Sequence, residues 1–148
     1  MSIFPTRILL ATDGSRQAEL AARTAVDLAN STGSELHVVV VGAEPVDPAY
    51  RVEAFIPYED LIDAVREEAR KVLDEQYEKI EEAGGNVRQV HLKIGKRDEE
   101  IVRLSEEIGA GLIVLGSRGR GGIRRALMGS VSGSVVRHAH CPVLVVRE

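Results

Sequence analysis

Three glycines in the final part of the sequence form the pattern with the clearest chemistry. Gly116, Gly119 and Gly129 follow the spacing Gly-x2-Gly-x9-Gly-Ser, which ends at Ser130. Glycine lets backbone N–H groups approach a phosphate closely, and a helix start adds unpaired N–H donors and the positive end of the helix dipole. An apolar run precedes the pattern and a short helix, 131–138, is predicted after it. A strand, a glycine-rich loop and a helix start together predict a cradle for the phosphates of a nucleotide.

Polar side chains beside these glycines add to the same chemistry. Ser130 and Ser132 carry hydroxyls that can donate to phosphate oxygens, and Val131 offers its backbone N–H. Either serine could instead cap the helix. Four arginines give the loop a local positive charge: Arg118, Arg120, Arg124 and Arg125. Because a guanidinium binds phosphate oxygens bidentately, one or two of them are candidates for phosphate contact and the others are expected to be solvated.

A second polar motif follows the first predicted strand, 7–11. Ala11 ends the strand, and Thr12, Asp13, Gly14 and Ser15 come directly after it. The Asp13 carboxylate can accept a ribose hydroxyl or help to hold Mg²⁺ beside phosphates, while Thr12 presents backbone groups to a purine. The alternative is structural, with Asp13 or Ser15 capping the next helix.

Other phosphate-binding and catalytic patterns do not fit the chain. No Gly-Lys-Ser/Thr is present, and Arg124 occupies the third glycine position of the dinucleotide fingerprint. Val131 stands where a nucleophile elbow needs serine. The His138-Ala-His140-Cys141 segment lacks the second ligand pair that a zinc site needs. We therefore expect a binding protein, with no catalytic residues assigned.

Composition limits the class of protein further. The length of 148 residues predicts a single domain, 1–148, and one cysteine excludes an internal disulfide. A net charge of −4 and an aromatic content of 3% argue against a nucleic-acid partner. No apolar run approaches the roughly 20 residues of a membrane helix, and no signal peptide is evident. We expect a cytoplasmic protein without a membrane partner.

Short apolar runs alternate with helical patterns along the chain. This order predicts right-handed βαβ crossovers and a parallel sheet that is buried on both faces. The predicted strands are 7–11, 36–41, 87–94, 112–116 and 143–146. The predicted helices are 15–30, 59–83, 98–108 and 131–138, with a proline-containing loop at 42–57.

The Gly-x2-Gly-x9-Gly-Ser spacing resembles the motif of the nucleotide-binding branch of the universal stress protein family. The resemblance covers nearly the whole chain, including ILLATD at 8–13 and CPVLVV at 141–146. It implies an α/β fold of the adenine nucleotide alpha hydrolase-like type, an open five-stranded parallel sheet in the order 3-2-1-4-5 with helices on both faces. In that order strands 1 and 4 flank the topological switch point, so the two polar motifs converge on one crevice.

The resemblance also implies a site, a ligand and an assembly. The ligand is ATP, which Mg²⁺ could accompany with Asp13 as its candidate ligand, and the family pattern brings Val41 to the adenine edge and Arg118 beside the ligand. The implied binding residues are Ala11, Thr12, Asp13, Val41, Leu115, Gly116, Arg118, Gly119, Gly129, Ser130, Val131 and Ser132. The implied function is an ATP-binding stress-response and signalling module with at most slow hydrolysis. A homodimer through the last strand, 143–146, is also implied, because an exposed aliphatic edge strand tends to pair with another chain.

Three other functions remain open on the sequence alone. The first is an enzyme that hydrolyses a nucleotide or transfers an adenylyl group. The second is a cyclic-nucleotide-binding module, since a shorter phosphate would use the same cradle. The third is a dimeric interaction module that binds no nucleotide.

Overall fold

Strands and helices alternate along the chain in the computed structural model, which describes residues 2–45, 56–117 and 128–148. The strands are β1 Arg7–Ala11, β2 Glu35–Ala43, β3 Val87–Gly95, β4 Leu112–Gly116 and β5 Val143–Val146. The helices are α1 Arg16–Thr32, α2 Tyr58–Glu82, α3 Arg97–Glu107 and α4 Ser130–His138.

The five strands form one parallel sheet in the order β3-β2-β1-β4-β5, which confirms the predicted topology. In the centre of the sheet, Leu10 of β1 lies in register with Val38 of β2 on one side and Val114 of β4 on the other. Because the strands are parallel, their carboxyl ends meet at one edge of the sheet. The segments that follow β1, β2, β3 and β4 therefore emerge there together.

Alternate residues of the strands fill two hydrophobic cores, one on each face of the sheet. On one face Leu10, Val38 and Val114 pack against α1 and α2. The small residues of α1, which include Ala21 and Ala25, let that helix approach the sheet closely. On the other face the partners are α3 and α4, and this core contains Leu9, Ala11, Val39, Val41, Ile113, Leu115, Ile101, Leu104 and Val135. Burial of both faces explains why the strands are continuous apolar runs.

The predicted element bounds agree with the structure for β1, β4 and β5, differ by one or two residues at β3 and the four helices, and differ most in consequence at β2. The proline-containing loop was predicted to begin at residue 42, but β2 continues to Ala43 through pairing of Gly42 with Ile94 and of Ala43 with Gly95. Gly42 suits the strand because a Cβ there would lie 2.7 Å from Cγ1 of Val65 on α2. Residues 46–55 of the predicted loop lie outside the described residues.

Helix ends follow the local signals of the sequence. Ser15 caps α1 by accepting a hydrogen bond from Ala18 N at 3.2 Å, and Gly33 ends it with a φ of 70°. Helix α2 stops before Gly84, whose φ is 91°.

Within the described ranges, none of the helices is both long and apolar enough to cross a bilayer.

Candidate functional site

The turn after β1 is held by its own polar side chains. Thr12 is buried, its N–H donates to Val39 O at 3.0 Å, and its hydroxyl oxygen accepts from Gly14 N at 3.3 Å. Asp13 Oδ1 accepts from Ser15 N at 2.9 Å, so this carboxylate shapes the turn while Ser15 caps α1. The helix-capping alternative for this motif therefore holds for Ser15, and Asp13 has a structural contact of its own at the carboxyl edge of the sheet.

Ser117, directly after β4, joins both ends of the glycine pattern. Its carbonyl oxygen accepts from Gly129 N and from Ser132 Oγ, each at 2.6 Å. Its own N–H donates to Val146 O at 2.9 Å, which ties this point to β5. Ser132 is buried, and its hydroxyl also lies 3.2 Å from Gly129 O. The hydroxyl of Ser132 thus fixes the start of α4 against the end of β4.

Gly116 lies where β4 meets the first turn of α1. A Cβ at this position would lie 2.8 Å from the carbonyl carbon of Gln17 and 3.0 Å from its carbonyl oxygen. Gln17 is buried and its Oε1 accepts from Ser117 Oγ at 3.3 Å. Gly116 is therefore needed for close packing of β4 on α1, whether or not its backbone also approaches a ligand.

Helix α4 begins at the carboxyl edge of the sheet. Gly129 is the N-cap residue with a φ of −75° and a ψ of 172°, so neither serine caps this helix and the glycine is not in a left-handed turn. Ser130 is exposed at the first helical position. The N–H groups of a first helical turn have no partner inside the helix, and they carry the positive end of its dipole. The start of α4 thus has the donors and the dipole end that favour an anion.

A cavity of about 480 Å³ opens beside this helix start. The part of its wall that the structure describes comes from four elements at the carboxyl edge: the ends of β2 and β3 and the starts of α3 and α4. These residues are Ala43, Glu44, Gly95, Lys96, Arg97, Asp98, Ser130 and Val131. Its volume lies in the range of small-molecule pockets.

Asp98 is the wall residue with the most defined hydrogen bonding. Its Oδ2 accepts from Ser134 Oγ of α4 at 2.6 Å, and Ser134 is buried. This hydrogen bond is the main cause that lowers the pKa of Asp98 below its usual value of 3.8, and backbone donors and Lys96 act in the same direction against partial burial. The carboxylate is therefore ionised and fixed in position at neutral pH.

Apart from Gly116, Gly129 and Ser132, described above, the predicted site residues fall into four groups in the structure. Ser130 and Val131 lie on the cavity wall, whereas Thr12 and Asp13 lie at the same edge of the sheet but off that wall. The side chains of Ala11, Val41 and Leu115 are buried in the core beneath α3 and α4, which leaves only their backbone for a ligand. Arg118 and Gly119, together with Arg120, Arg124 and Arg125, lie outside the described residues.

Sequence reasoning missed the contribution of β3 and α3 to this edge. Lys96, Arg97 and Asp98 follow a parallel strand just as Thr12 follows β1 and Ser117 follows β4. The same rule that brought those two motifs together, that polar residues after parallel strands share one edge, applies to them. The signal was present in the sequence but lacked a recognisable motif.

Metal ligation at Asp13 would depend on the ligand. Across the described residues, no group of three or more His, Cys, Asp or Glu side chains is arranged to hold a metal ion. A single carboxylate with nucleotide phosphates and water is nevertheless a common Mg²⁺ environment. In the C-terminal segment, His138 Nδ1 lies 2.8 Å from Ser134 O, and His140 Nδ1 lies 3.0 Å from Glu106 Oε1.

Comparison with known proteins agrees with this architecture. UspA from Lactobacillus plantarum has a TM-score of 0.82 at 26% identity, covering 99% of this chain and 100% of that one. A universal stress protein from Archaeoglobus fulgidus, solved in complex with dAMP, has a TM-score of 0.64 at 26% identity, with coverage of 98% and 99%. The fold is thus of the adenine nucleotide alpha hydrolase-like class.

Sequence comparison defines the family. The universal stress protein family model matches residues 5–147. The universal stress protein YxiE of Bacillus subtilis is 35% identical over 147 residues, which cover 95% of this chain and 98% of the relative. The chain belongs to the universal stress protein family.

Proposed function

We propose that this protein binds an adenine nucleotide, ATP with Mg²⁺, at the carboxyl edge of its sheet. The observation that carries the proposal is the start of α4, where Ser130 and Val131 form part of the wall of a cavity of about 480 Å³. A helix start of this kind favours phosphate, and the adjoining space is large enough for a nucleoside. The relative from Archaeoglobus fulgidus, which has been solved with dAMP, supports the same ligand class.

The phosphates would lie at the backbone of Gly129, Ser130 and Val131. The sugar and base would extend from there toward the ends of β2 and β3. Asp13 would approach the phosphates from the β1 side through Mg²⁺, and Arg118 would add positive charge from the glycine loop. Chemically, these groups bind and orient a nucleotide, and a bound Mg²⁺ would supply charge neutralisation at the phosphates.

We propose a signalling role with at most slow hydrolysis. The carboxylate on the described wall, Asp98, accepts from Ser134 Oγ, and its lowered pKa makes it a poor proton acceptor at neutral pH. The protein would therefore signal by being in its nucleotide-bound state, and not by hydrolysing the nucleotide. Assembly as a homodimer through β5 is part of the proposal.

Thermal unfolding with and without nucleotide tests the function. A ligand that binds only the folded state raises the melting temperature by mass action. We expect millimolar ATP with Mg²⁺ to raise it, and mass spectrometry of the denatured protein to detect a co-purified adenine nucleotide. The proposal is wrong if ATP, ADP, AMP and cyclic AMP all leave the melting temperature unchanged. Release of phosphate or pyrophosphate at a steady, rapid rate would instead favour an enzyme.

A further inference from the structure

Helix α2 carries a glutamine in its buried stripe. Gln76 is only 3% exposed, and the other buried residues of this helix, all of which the structure describes, are the apolar Ala69, Val72, Leu73 and Ile80. A buried amide costs free energy unless it is hydrogen-bonded. The hydrogen-bond partner of Gln76 therefore indicates why a polar residue stands in this stripe.

The partner of Gln76 is a hydroxyl in the turn after β1, 64 positions away in the sequence. Thr12 Oγ1 donates to Gln76 Oε1 at 3.3 Å, and it accepts from Gly14 N at 3.3 Å. A threonine hydroxyl has a single hydrogen to donate. Because that hydrogen points to Gln76, the lone pairs of the oxygen are left to accept from Gly14 N.

These two hydrogen bonds hold the shape of the turn. Gly14 has a φ of 79°, so the chain turns here through the left-handed region. Asp13 stands between the two residues that are joined, and its Oδ1 accepts from Ser15 N at 2.9 Å. If the Thr12 hydroxyl pointed elsewhere, Gly14 N would lose its acceptor, and Asp13 would shift relative to the rest of the carboxyl edge.

We propose that Gln76 is a positioning residue for the nucleotide site: its amide oxygen orients the Thr12 hydroxyl, and that hydroxyl holds the turn that carries Asp13. The inference rests on the proposed function, in which Asp13 approaches the phosphates through Mg²⁺. Gln76 acts through Thr12 and not by contact with the ligand. Helix α2, whose buried residues belong to the core on the face away from α4, thereby contributes to nucleotide affinity.

Two substitutions of similar length separate the acceptor from the packing. Gln76→Met fills a similar volume but has no oxygen, whereas Gln76→Glu keeps an acceptor for the Thr12 hydroxyl. Calorimetry measures the dissociation constant of ATP with Mg²⁺. We expect Gln76→Met to weaken binding about threefold to tenfold, the effect of one hydrogen bond, and Gln76→Glu to stay near the wild-type affinity. Wild-type affinity in Gln76→Met, or an equal loss in both variants, would overturn the inference.

A double-mutant cycle tests whether Gln76 acts through Thr12. Thr12→Val removes the hydroxyl, so Gln76→Met should have almost no further effect on ATP binding in that background. The double variant removes both side-chain partners, so neither is left buried without the other, and it should remain folded. Leu73→Met is the matched control: this conservative apolar change in the same buried stripe should leave the affinity unchanged. Losses that simply add in the double variant would contradict the proposed route.

Hydrogen exchange of the Gly14 amide gives a readout that needs no ligand. We expect NMR to show this amide exchanging about threefold to tenfold faster in Gln76→Met than in the wild-type or Gln76→Glu protein, because its acceptor is no longer held. An unchanged exchange rate would overturn the positioning role even if ATP binding falls. If the wild-type protein binds no nucleotide, the proposed function fails, and the role of Gln76 in binding fails with it whatever the exchange rate.

Discussion

At the residue scale, two histidines that are far apart in the sequence form a pair. His37 and His91 lie on the neighbouring strands β2 and β3, with Nδ1 of the first 3.2 Å from Nε2 of the second and their rings stacked. His37 is only 5% exposed, and its other ring nitrogen lies 3.4 Å from Glu35 Oε2. Burial is the main cause that lowers the pKa of His91 below 6.5, and His37 and Lys93 add to it against the opposing charge of Glu107.

This pair predicts a loss of stability in mild acid. The folded protein binds a proton at His91 more weakly than the unfolded chain does, so the contribution of His91 is present above about pH 6.5 and declines as the pH falls below it. Urea unfolding at pH 7.5 and pH 5.5 measures the decline. We expect His91→Gln to show a smaller difference between the two pH values than the wild-type protein. Equal differences would place the acid sensitivity elsewhere.

Gly116 predicts a packing effect on stability that does not need a ligand. Gly116→Ala brings a Cβ within 2.8 Å of the backbone of Gln17, so β4 or α1 must shift, at a cost of about 1–3 kcal/mol. Gly133→Ala is the matched control: among the described residues its Cβ would meet the flexible end of Arg137, at 3.3 Å, and alanine favours the helix. Denaturant unfolding should show the first variant destabilised and the second unchanged or more stable.

At the scale of the element, the start of α4 can be altered without breaking the helix. The φ of −75° and ψ of 172° at Gly129 are open to any residue, so Gly129→Val should fold. We expect it to weaken ATP binding at least about tenfold, since a side chain would occupy the approach of the phosphate to the backbone. Circular dichroism checks the fold and calorimetry the affinity. Wild-type affinity in a folded variant would show that this glycine serves the loop alone.

Sequence patterns predicted elements well where one local signal decides the end. Ser15 and Gly33 mark α1, and apolar runs mark β1, β4 and β5. Prediction was poorer where residues distant in the sequence decide where an element ends. Gly42 remains part of β2 because it pairs with β3 and because α2 packs against it. The same limit hid the contact between Asp98 and Ser134, because an aspartate and a serine 36 positions apart have no recognisable spacing.

At the scale of the whole molecule, the sheet has an aliphatic edge at β5. Pro142 O and Val146 O accept from β4 and the residue after it, so the alternating backbone groups of Val143 and Val145 point to the open edge. Val136 of α4 is 43% exposed. A two-fold dimer with antiparallel β5 strands would satisfy these outward groups.

Val145→Pro tests this assembly with little harm to the fold. Proline would remove an N–H that faces away from β4, which an edge strand tolerates. We expect the variant to be monomeric by light scattering and the wild-type protein to be dimeric. Val136→Lys tests the same assembly through a side chain, because it replaces an exposed apolar residue of α4 with a charged one. If both variants stay folded and dimeric, the interface lies on another surface, and the exposed face of α2 becomes the next to examine.

The double hydrogen bond at Ser117 O has a consequence for how such proteins diversify. Because Gly129 N and Ser132 Oγ both donate to this one oxygen at 2.6 Å, the end of β4 and the start of α4 are held together at a single point. Closing a loop whose ends are already held depends only weakly on its length, and doubling the number of residues costs about 0.6 kcal/mol. Where the two ends of a segment are held in this way, a change in the number of residues between them would cost the scaffold little.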